Sequence, residues 1–473
     1  MENRRHAAWR LGRQSLALLA LLAGYHLVLR WLMLSRGLVL GVVGPGNAVY
    51  RVVPLYAYVR PHFKTGLLVA AGVLVGYWCW VRCRAWNLQP RRRTFVAALV
   101  LWHVALACAV AMIDGGPHRL WRPYVLLEGT EYIGAVPLVD SARGFLHDYV
   151  SRLPELPIHC QVHPPGGVLF LWWVDRHVWP GPAAGALATI LAASLAVPAV
   201  YGLAREVLDE RFARLASCLF LLAPNVLLFT ATSMDAVFMV PMAWTYFFLW
   251  MARSRRPWLF GCLGGLTAAA SAMMTFSAAF LGLWGLAMLL VTALLDRRRL
   301  PAVLRALAGA AASSALFFTV VYLWSGYHLL ENLGAAIGAH HGIMHGGNYA
   351  TARQYAHLVA GNLVALFAGA GIPVAVLFFR QALRDVRGVD GRSSGRLLSL
   401  SFLLALGILA AAPLYTLEVE RIWLFMVPLV VISATRPLGR SGPAERPAPE
   451  IGLTFCLLSV QVVAMEVLLN TIW

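Results

Sequence analysis

Long apolar runs separated by short clusters of Arg, Pro and Gly follow one another from residue 14 to the end of the chain. An α-helix needs about 20 apolar residues to cross roughly 30 Å of hydrocarbon, and most of these runs approach that length. The pattern therefore predicts an all-α, polytopic membrane protein with about thirteen transmembrane helices. The predicted helices begin near residues 14, 65, 94, 181, 213, 235, 257, 276, 303, 356, 397, 421 and 450.

Composition narrows the class of protein further. Apolar residues make up 60% of the 473 positions and charged residues only 13%, about half of what a soluble domain carries. A soluble enzyme, a disordered chain and a secreted disulfide scaffold are excluded. Of the seven cysteines, only Cys160 is in a long polar segment, so we expect no disulfide and no metal–thiolate site.

The formal charge of +18 indicates membrane orientation rather than nucleic-acid binding. The cations form short clusters between apolar runs, without the continuous patch that a nucleic-acid partner requires. Placing the N-terminus in the cytoplasm puts most Arg residues on cytoplasmic connections, as the positive-inside rule demands. The first run, residues 14–34, is longer than the apolar region of a signal peptide and lacks an A-x-A cleavage site, so we expect it to be a span.

Two segments are then predicted to be extracytoplasmic, residues 114–180 and residues 325–355. Within the first of them, the apolar stretch from Gly166 to Trp179 is too short to cross the membrane. We interpret it as a re-entrant or interfacial helix. Most of the polar chemistry outside the membrane is confined to these two segments, and we expect the active site to lie there.

The first segment concentrates acidic residues. Glu131 precedes Tyr132 after a Gly-Thr turn, and Asp140 precedes an amphipathic run. A carboxylate partly desolvated at a membrane surface is suited to act as a general base toward a hydroxyl group. Asp140 is equally suited to cap the helix that follows it. The acidic residues are Asp114, Glu128, Glu131, Asp140, Asp148, Glu155 and Asp175.

Two further positions carry charge at the predicted external ends of spans. Asp235 opens an apolar run, either as its N-cap or as a second carboxylate of the same site. Arg421 has the planar geometry that suits a pair of phosphate oxygens. An ion pair with Glu418 or Glu420 is the competing interpretation for Arg421.

The second external segment contains three imidazoles, His340, His341 and His345, in a Gly-rich stretch. We expect this stretch to be a mobile loop. A phosphate-facing role is favoured over a divalent metal site, because metal ligands are ordinarily fixed by regular structure. No metal site and no cofactor is predicted.

Taken in order, these features resemble those of the polyprenyl-phosphate-dependent GT-C glycosyltransferases, the class that includes protein mannosyltransferases and lipid A aminoarabinose transferases. The resemblance runs from about Thr94 to Arg299, with a looser continuation to about Pro428. The motifs that carry it are Glu131-Tyr132, His163-Pro164-Pro165-Gly166 before the interfacial helix, the basic turn at residues 204–214, Ala223-Pro224-Asn225, Thr232-Ser233-Met234-Asp235 and Ala252-Arg253.

The resemblance implies a catalytic carboxylate in the first external loop, which falls on Glu131, with Glu128 and Asp140 as the alternatives. It also matches the acid after the Pro-Asn span with Asp235, and it places Tyr132 and His163 beside the substrate. A lysine commonly follows the Gly-rich span in that class, whereas this chain has Met274-Thr275-Phe276 there. The lipid phosphate would therefore be met by Arg421, with Glu420 beside it, or by His340, His341 and His345.

The implied reaction moves a sugar from a polyprenyl-phosphate donor to a hydroxyl of a glycan, lipid or protein acceptor, with inversion. The core would comprise residues 94–299, preceded by two additional helices in residues 1–93 and followed by C-terminal helices in residues 300–473. Two other classes remain open. A transporter or lipid flippase would also need many spans, and a membrane acyltransferase would need an intramembrane histidine, for which His103 is the candidate.

Overall fold

The structure is a computed structural model that describes residues 2–40, 43, 46, 50–126, 129–343, 351–391, 393–412, 414–415, 418–441 and 448–470. Glu128 and His345, two of the predicted site residues, lie outside these described residues. The described chain is overwhelmingly helical, which confirms the predicted all-α fold.

The helices follow one another with short connections. The α-helices are α1 (Glu2–Arg36), α2 (Gly66–Trp80), α3 (Arg92–Ala111), α4 (Arg122–Leu126), α5 (Ala142–Asp148), α6 (Ile158–Gln161), α7 (Gly166–His177), α8 (Pro182–Ser194), α9 (Ala196–Val207), α10 (Glu210–Leu221), α11 (Pro224–Thr230), α12 (Asp235–Ala252), α13 (Pro257–Ala272), α14 (Ala279–Leu295), α15 (Leu300–Ser325), α16 (Leu329–Ile343), α17 (Ala352–Ala370), α18 (Ile372–Val386), α19 (Ser394–Ala411), α20 (Val419–Ile422), α21 (Val427–Thr435) and α22 (Pro449–Leu468). Short 3-10 helices cover Pro117–Leu120, Tyr132–Leu138, Leu153–Glu155, Phe276–Ala278, Arg297–Arg299, Leu424–Met426 and Arg436–Ser441, and a π-helical turn covers Val81–Ala85. Two short strands, β1 (Tyr58–Val59) and β2 (Leu469–Asn470), pair antiparallel.

Nine helices in the described part of the chain are long and apolar enough to cross a membrane, or up to eleven if each of two bent pairs counts as one span. They support an integral membrane protein. The nine are His6–Arg36, Gly66–Ala85, Arg92–Ala111, Pro182–Val207, Asp235–Ala252, Phe276–Leu295, Arg297–Ser325, Ser394–Ala411 and Pro449–Leu468.

The number of long spans is lower than the thirteen expected, although every predicted run is helical. The runs near residues 213 and 356 are each broken, with bends of 53° and 113°. The breaks fall at Pro224 and at Gly371, whose φ of 108° ends one helix before the next begins. The runs near 257 and 421 form helices of 16 residues, Pro257–Ala272 and Leu424–Gly439. At about 1.5 Å per residue, a helix of this length is shorter than the hydrocarbon core is thick.

The chain forms two compact units, each assembled from separate stretches. The first unit comprises Met1–Pro117, Val200–Phe229 and Asn348–Trp473. In it, α1 packs against α18 and α22, and α2 packs against α3. The pairing of β1 with β2 joins the segment before α2 to the end of α22.

The second unit comprises His118–Ala199 and Thr230–Gly347, and it holds the predicted external loop. Helices α12, α13 and α15 pack side by side. The short helices of the loop bury an aromatic core that includes Tyr132, Tyr149 and Phe238. This core anchors the loop on α7, α8 and α12 instead of leaving it extended in solvent.

Two local expectations are wrong. Asp140 does not cap the amphipathic helix: the cap of α5 is Ser141, whose hydroxyl accepts a hydrogen bond from the N–H of Gly144, while Asp140 is exposed one position earlier. Of the stretch expected to be a mobile loop, the described residues up to Ile343 belong to α16, so His340 and His341 lie on a helix. Apolar residues of Leu329–Ile343 outweigh its glycines, and Ala336 is buried.

Candidate active site

Glu131 is held at the centre of the loop core in the second unit. It immediately precedes the 3-10 helix Tyr132–Leu138, and only 5% of its surface is exposed. Its carboxylate Oε1 lies 3.1 Å from Nδ1 of His159, which is also largely buried. The N–H of His159 donates to the carbonyl of Thr130 at 3.0 Å, so the two segments are fixed at the backbone as well.

The negative charge of Glu131 influences its other neighbours. Burial raises the pKa of the Cys160 thiol, and the charge of Glu131 raises it further. Burial likewise raises the pKa of the Tyr124 phenol, to which Glu131 again contributes. The Cys160 thiol and the Tyr124 phenol therefore keep their protons beside the Glu131 carboxylate.

Aromatic rings connect Glu131 to the start of α12. The ring of Tyr132 lies 5.9 Å from that of His159, 5.7 Å from that of His163 and 5.7 Å from that of Phe238. His163 and Phe238 are 6.0 Å apart. Phe238 is one helical turn after Asp235, so the loop acid and the helix acid border the same aromatic cluster.

Asp235 is the first residue of α12, and its N-cap is Met234. The carboxylate Oδ2 accepts a hydrogen bond from the Ser233 hydroxyl at 2.8 Å, and only 7% of the residue is exposed. Tyr124 contacts Met234 directly, with 3.5 Å between its hydroxyl and the sulfur. Because Tyr124 also senses the charge of Glu131, the surroundings of the two acids overlap.

The His163-Pro164-Pro165-Gly166 motif has a packing role. The N–H of Gly166 donates to the carbonyl of Met273 at 2.7 Å. A Cβ at this position would overlap that carbonyl, so only glycine permits the approach. The following Gly167 packs against the rings of Tyr132 and Phe238. The motif thus seats α7 on α13 and on the aromatic cluster.

Arg421 belongs to a second cluster, in the first unit. Its Nη2 lies 2.8 Å from Oε2 of Glu418, and only 6% of the residue is exposed. The ion pair considered in the sequence analysis is therefore formed, with Glu418 as the partner. Glu418 has a φ of 62°, a left-handed conformation that is uncommon for a residue with a side chain.

Glu420 is buried beside this pair. Its Oε1 accepts a hydrogen bond from the N–H of Tyr56 at 2.6 Å, and its carbonyl accepts one from the side-chain amide of Asn225 at 3.2 Å. Burial raises the pKa of Glu420 to about 7. Asn225, from the Ala223-Pro224-Asn225 motif, thus fixes the short helix that presents Glu420 and Arg421.

Sequence reasoning missed two members of these clusters. His159 gave no signal, because it is 28 positions from Glu131 and only the folded loop brings them together. Arg51 is 6% exposed, and its guanidinium lies 4.0 Å and 4.4 Å from the ring centres of Tyr56 and Tyr58. Its Nε and Nη1 have no hydrogen-bond partner among the described residues.

Of the remaining predicted residues, His340 is half-buried on α16 and His341 is exposed there. Burial lowers the pKa of His340, and the neighbouring His341 lowers it further. Among the described residues, no three His, Cys, Asp or Glu side chains are arranged to hold a metal ion.

No protein-family model matches this chain, and no curated protein sequence is significantly similar to it. Several solved structures are similar to this chain over most of its length. One is the oligosaccharyltransferase of Archaeoglobus fulgidus tethered to an acceptor peptide, with a TM-score of 0.47, 14% identity and coverage of 79% of this chain. Another is ArnT of Cupriavidus metallidurans bound to undecaprenyl phosphate, with a TM-score of 0.47, 12% identity and coverage of 78% of each chain.

The archaeal enzyme AglB, in complex with an inhibitory peptide and a dolichol-phosphate, has a TM-score of 0.44 and 14% identity over 79% of this chain. This chain spans 55% of the length of the tethered oligosaccharyltransferase and 56% of that AglB chain. The roles of individual residues are argued from this chain's own geometry.

Proposed function

We propose that this protein is a membrane glycosyltransferase that moves a sugar from a polyprenyl-phosphate donor to a hydroxyl group of an acceptor. The observation that carries the proposal is the buried carboxylate of Glu131, paired with His159 at 3.1 Å in a loop between membrane-spanning helices. Burying a charged carboxylate costs free energy. A buried carboxylate is therefore usually either paired with another group or used in catalysis.

Glu131 acts as the general base in the proposed reaction. Its carboxylate takes the proton of the acceptor hydroxyl as that oxygen attacks C1 of the sugar. The bond between C1 and the phosphate oxygen breaks, and the lipid phosphate leaves with the electron pair, so the configuration at C1 is inverted. His159 is proposed as a positioning residue, because its Nδ1, 3.1 Å from Oε1 of Glu131, holds the carboxylate in one orientation without contact with the reacting atoms.

We propose that His163, which is partly exposed, contacts the sugar beside the base, with the buried rings of Tyr132 and Phe238 packed behind it. The imidazole of His163 supplies a hydrogen-bonding group for a sugar hydroxyl. Asp235, one turn before Phe238, is proposed to orient a hydroxyl of the donor or acceptor. If Asp235 contacts the donor, its replacement should change mainly the KM for the donor. If it contacts the acceptor, the replacement should change mainly the KM for the acceptor.

The lipid phosphate is proposed to be met by arginine. Arg421 remains the first choice, and the unsatisfied N–H groups of Arg51 make this buried cation a second one. The carboxylate of Glu420 offsets the positive charge of these arginines only in part, because its pKa of about 7 leaves a large fraction of it protonated and neutral at physiological pH. With two guanidinium groups to neutralise the leaving phosphate, we propose a reaction that needs no divalent metal.

The test is transfer of radiolabelled sugar from a panel of polyprenyl-phosphate hexoses and pentoses, with the protein in lipid nanodiscs and a chelator present. We expect Glu131→Gln to lower transfer by about 10²-fold or more, because it removes the base, while the melting temperature and binding of undecaprenyl phosphate stay unchanged. Glu155→Gln makes the same chemical change at a side chain that is 69% exposed, and it should transfer normally.

Each alternative outcome has a defined meaning. Near-normal transfer by Glu131→Gln would move the base to Glu128 or Asp140. Loss of transfer in the chelator, restored by a divalent cation, would overturn the metal-free reaction. Absence of transfer from every donor by the unaltered protein would contradict a glycosyltransferase of this donor class.

A further inference from the structure

A basic cavity lies in the first unit, at the start of α3, and none of the residues proposed for catalysis lines it. Its volume is about 610 Å³, and it opens broadly to the surface. The residues that line it are Leu88, Gln89, Pro90, Arg91, Arg92, Arg93, Thr94, Glu210 and Arg214. Four of them are arginines and one is an acid, so the cavity carries a clear excess of positive charge.

Glu210 cannot neutralise this excess because several cations already share it. Its carboxylate is 3.1 Å from Nε of Arg92, 3.1 Å from Nε of Arg205 and 2.9 Å from Nε of Arg214. It also accepts a hydrogen bond from the hydroxyl of Tyr201 at 2.6 Å. One carboxylate therefore holds three arginines in place, and the net charge of these four groups remains positive.

Arg214 forms the fixed part of the cavity. Only 3% of it is exposed, its Nη2 donates to the carbonyl of Pro90 at 2.9 Å, and its guanidinium lies 4.6 Å from the ring centre of Phe95. Its Nη1 is buried and has no hydrogen-bond partner among the described residues. A buried cation with a spare donor favours an anion in the adjoining space.

The first turn of α3 adds to the attraction for an anion. This helix has 20 residues, its N-cap is Arg91, and no side chain caps its first N–H groups. Helix N-termini bear partial positive charge, so the helix dipole reinforces the arginines. Arginine side chains and a helix N-terminus are the groups that bind phosphate oxygens in proteins, so a phosphate group suits this cavity.

The location indicates where that phosphate comes from. The cavity lies at the N-terminal end of Arg92–Ala111 and near the C-terminal end of Gly66–Ala85. Both are apolar helices long enough to span a membrane. The ends of spans lie at the level of the lipid head groups. The same end is predicted from the sequence to be cytoplasmic, the side on which anionic lipids attract basic residues.

We propose that this cavity binds the phosphate head group of an anionic phospholipid, at a site separate from the proposed glycosyl transfer. Arg91 and Arg93 are exposed and complete the site around the lipid phosphate, while Arg214 and the start of α3 form its floor. A bound lipid of this kind holds the connection between α2 and α3 against α10.

The test compares two variants with the same change in charge. Arg91→Gln with Arg93→Gln removes two cavity arginines and keeps the Arg92–Glu210 pair. The control, Arg297→Gln with Arg298→Gln, removes two exposed arginines before α15 and keeps the pair of Arg299 with Asp296 at 3.2 Å. Arg297 and Arg298 are not among the residues that line the basic cavity.

Native mass spectrometry measures phosphatidylglycerol that remains bound, and melting temperatures are recorded in phosphatidylcholine nanodiscs with and without phosphatidylglycerol. We expect the cavity variant to bind phosphatidylglycerol about 30-fold more weakly, since each arginine near a lipid surface contributes roughly 1 kcal/mol. It should lose the rise in melting temperature that phosphatidylglycerol gives the unaltered protein and the control, while both variants melt normally in phosphatidylcholine alone.

Three results would overturn the proposal. The first is equal weakening in the control variant, which would indicate general surface electrostatics. The second is unchanged binding in the cavity variant. The third is equal stabilisation by inorganic phosphate in phosphatidylcholine nanodiscs, which would assign the cavity to a soluble anion. Because none of these measurements uses sugar transfer, their outcome is independent of the proposed function.

Discussion

Arg421 combines two properties at the scale of a single residue: it is 6% exposed, and it pairs with Glu418 at 2.8 Å. An exposed pair contributes roughly 0 to 1 kcal/mol, whereas loss of one partner from a buried pair leaves a costly uncompensated charge. We therefore expect Arg421→Ala to lower the melting temperature, which makes it a poor test of phosphate binding. Arg421→Lys keeps the charge and removes only the two-pronged geometry of the guanidinium.

If Arg421 meets the lipid phosphate, Arg421→Lys should lower the affinity for undecaprenyl phosphate by about tenfold, the equivalent of one charge-assisted hydrogen bond. A titration of the purified variant in nanodiscs measures this. Arg299→Lys is the control, because Arg299 forms a pair with Asp296 at the same spacing but is 42% exposed. Unchanged affinity in Arg421→Lys would leave Arg51 and the imidazoles of His340, His341 and His345 as phosphate ligands.

At the scale of secondary-structure elements, the contact between α13 and α15 depends on small residues. The backbone of Gly261 meets that of Ala306, and Gly265 meets the carbonyl of Ala310 and the hydroxyl of Ser313. The Ser313 hydroxyl donates to the carbonyl of Cys262 at 2.9 Å across the two helices. Membrane helices lack a hydrophobic force between them, so such close approach and hydrogen bonding stabilise the pair.

We expect Gly265→Ala to lower the stability of the protein by about 1 to 3 kcal/mol, since the added Cβ would overlap the Ala310 carbonyl and force the helices apart. Thermal unfolding in detergent measures the effect. The matched control is Gly282→Ala in α14, where a Cβ meets nothing within 4 Å and alanine favours the helix. Equal melting temperatures for the two variants would show that α13 and α15 can move apart without a loss of stability.

At the scale of the whole molecule, sidedness follows from the distribution of arginines along the chain. We expect residues 114–180 and 325–355 to face the extracytoplasmic side and residues 380–396 to face the cytoplasm. Single cysteines at Glu155 and Arg387, both exposed, test this in a background without the seven native cysteines. A membrane-impermeant thiol reagent should label the first in intact cells and the second only after permeabilisation. Labelling of both only after permeabilisation would place the proposed site in the cytoplasm.

The sequence by itself determined that the protein is helical and apolar enough to cross a membrane, and where its long apolar helices fall. Runs of apolar residues must be helical in lipid, because every backbone N–H and C=O needs a partner there. A short helix in the first loop was also predictable: an apolar helix over Gly166–Trp179 was expected and Gly166–His177 is observed, while its interfacial position stays a prediction. These conclusions depend only on neighbouring positions and on the thickness of a bilayer.

Tertiary structure alone decided which polar residues meet. The Glu131–His159 pair and the pairing of Arg92 with Glu210, which are 118 positions apart, join segments that are distant along the chain. Asp140 and Ser141 are neighbouring residues of types that commonly cap helices, and only the structure shows that Ser141 caps α5. Such choices depend on which groups packing has already removed from water, because only there does an unpaired charge or donor cost enough to select a partner.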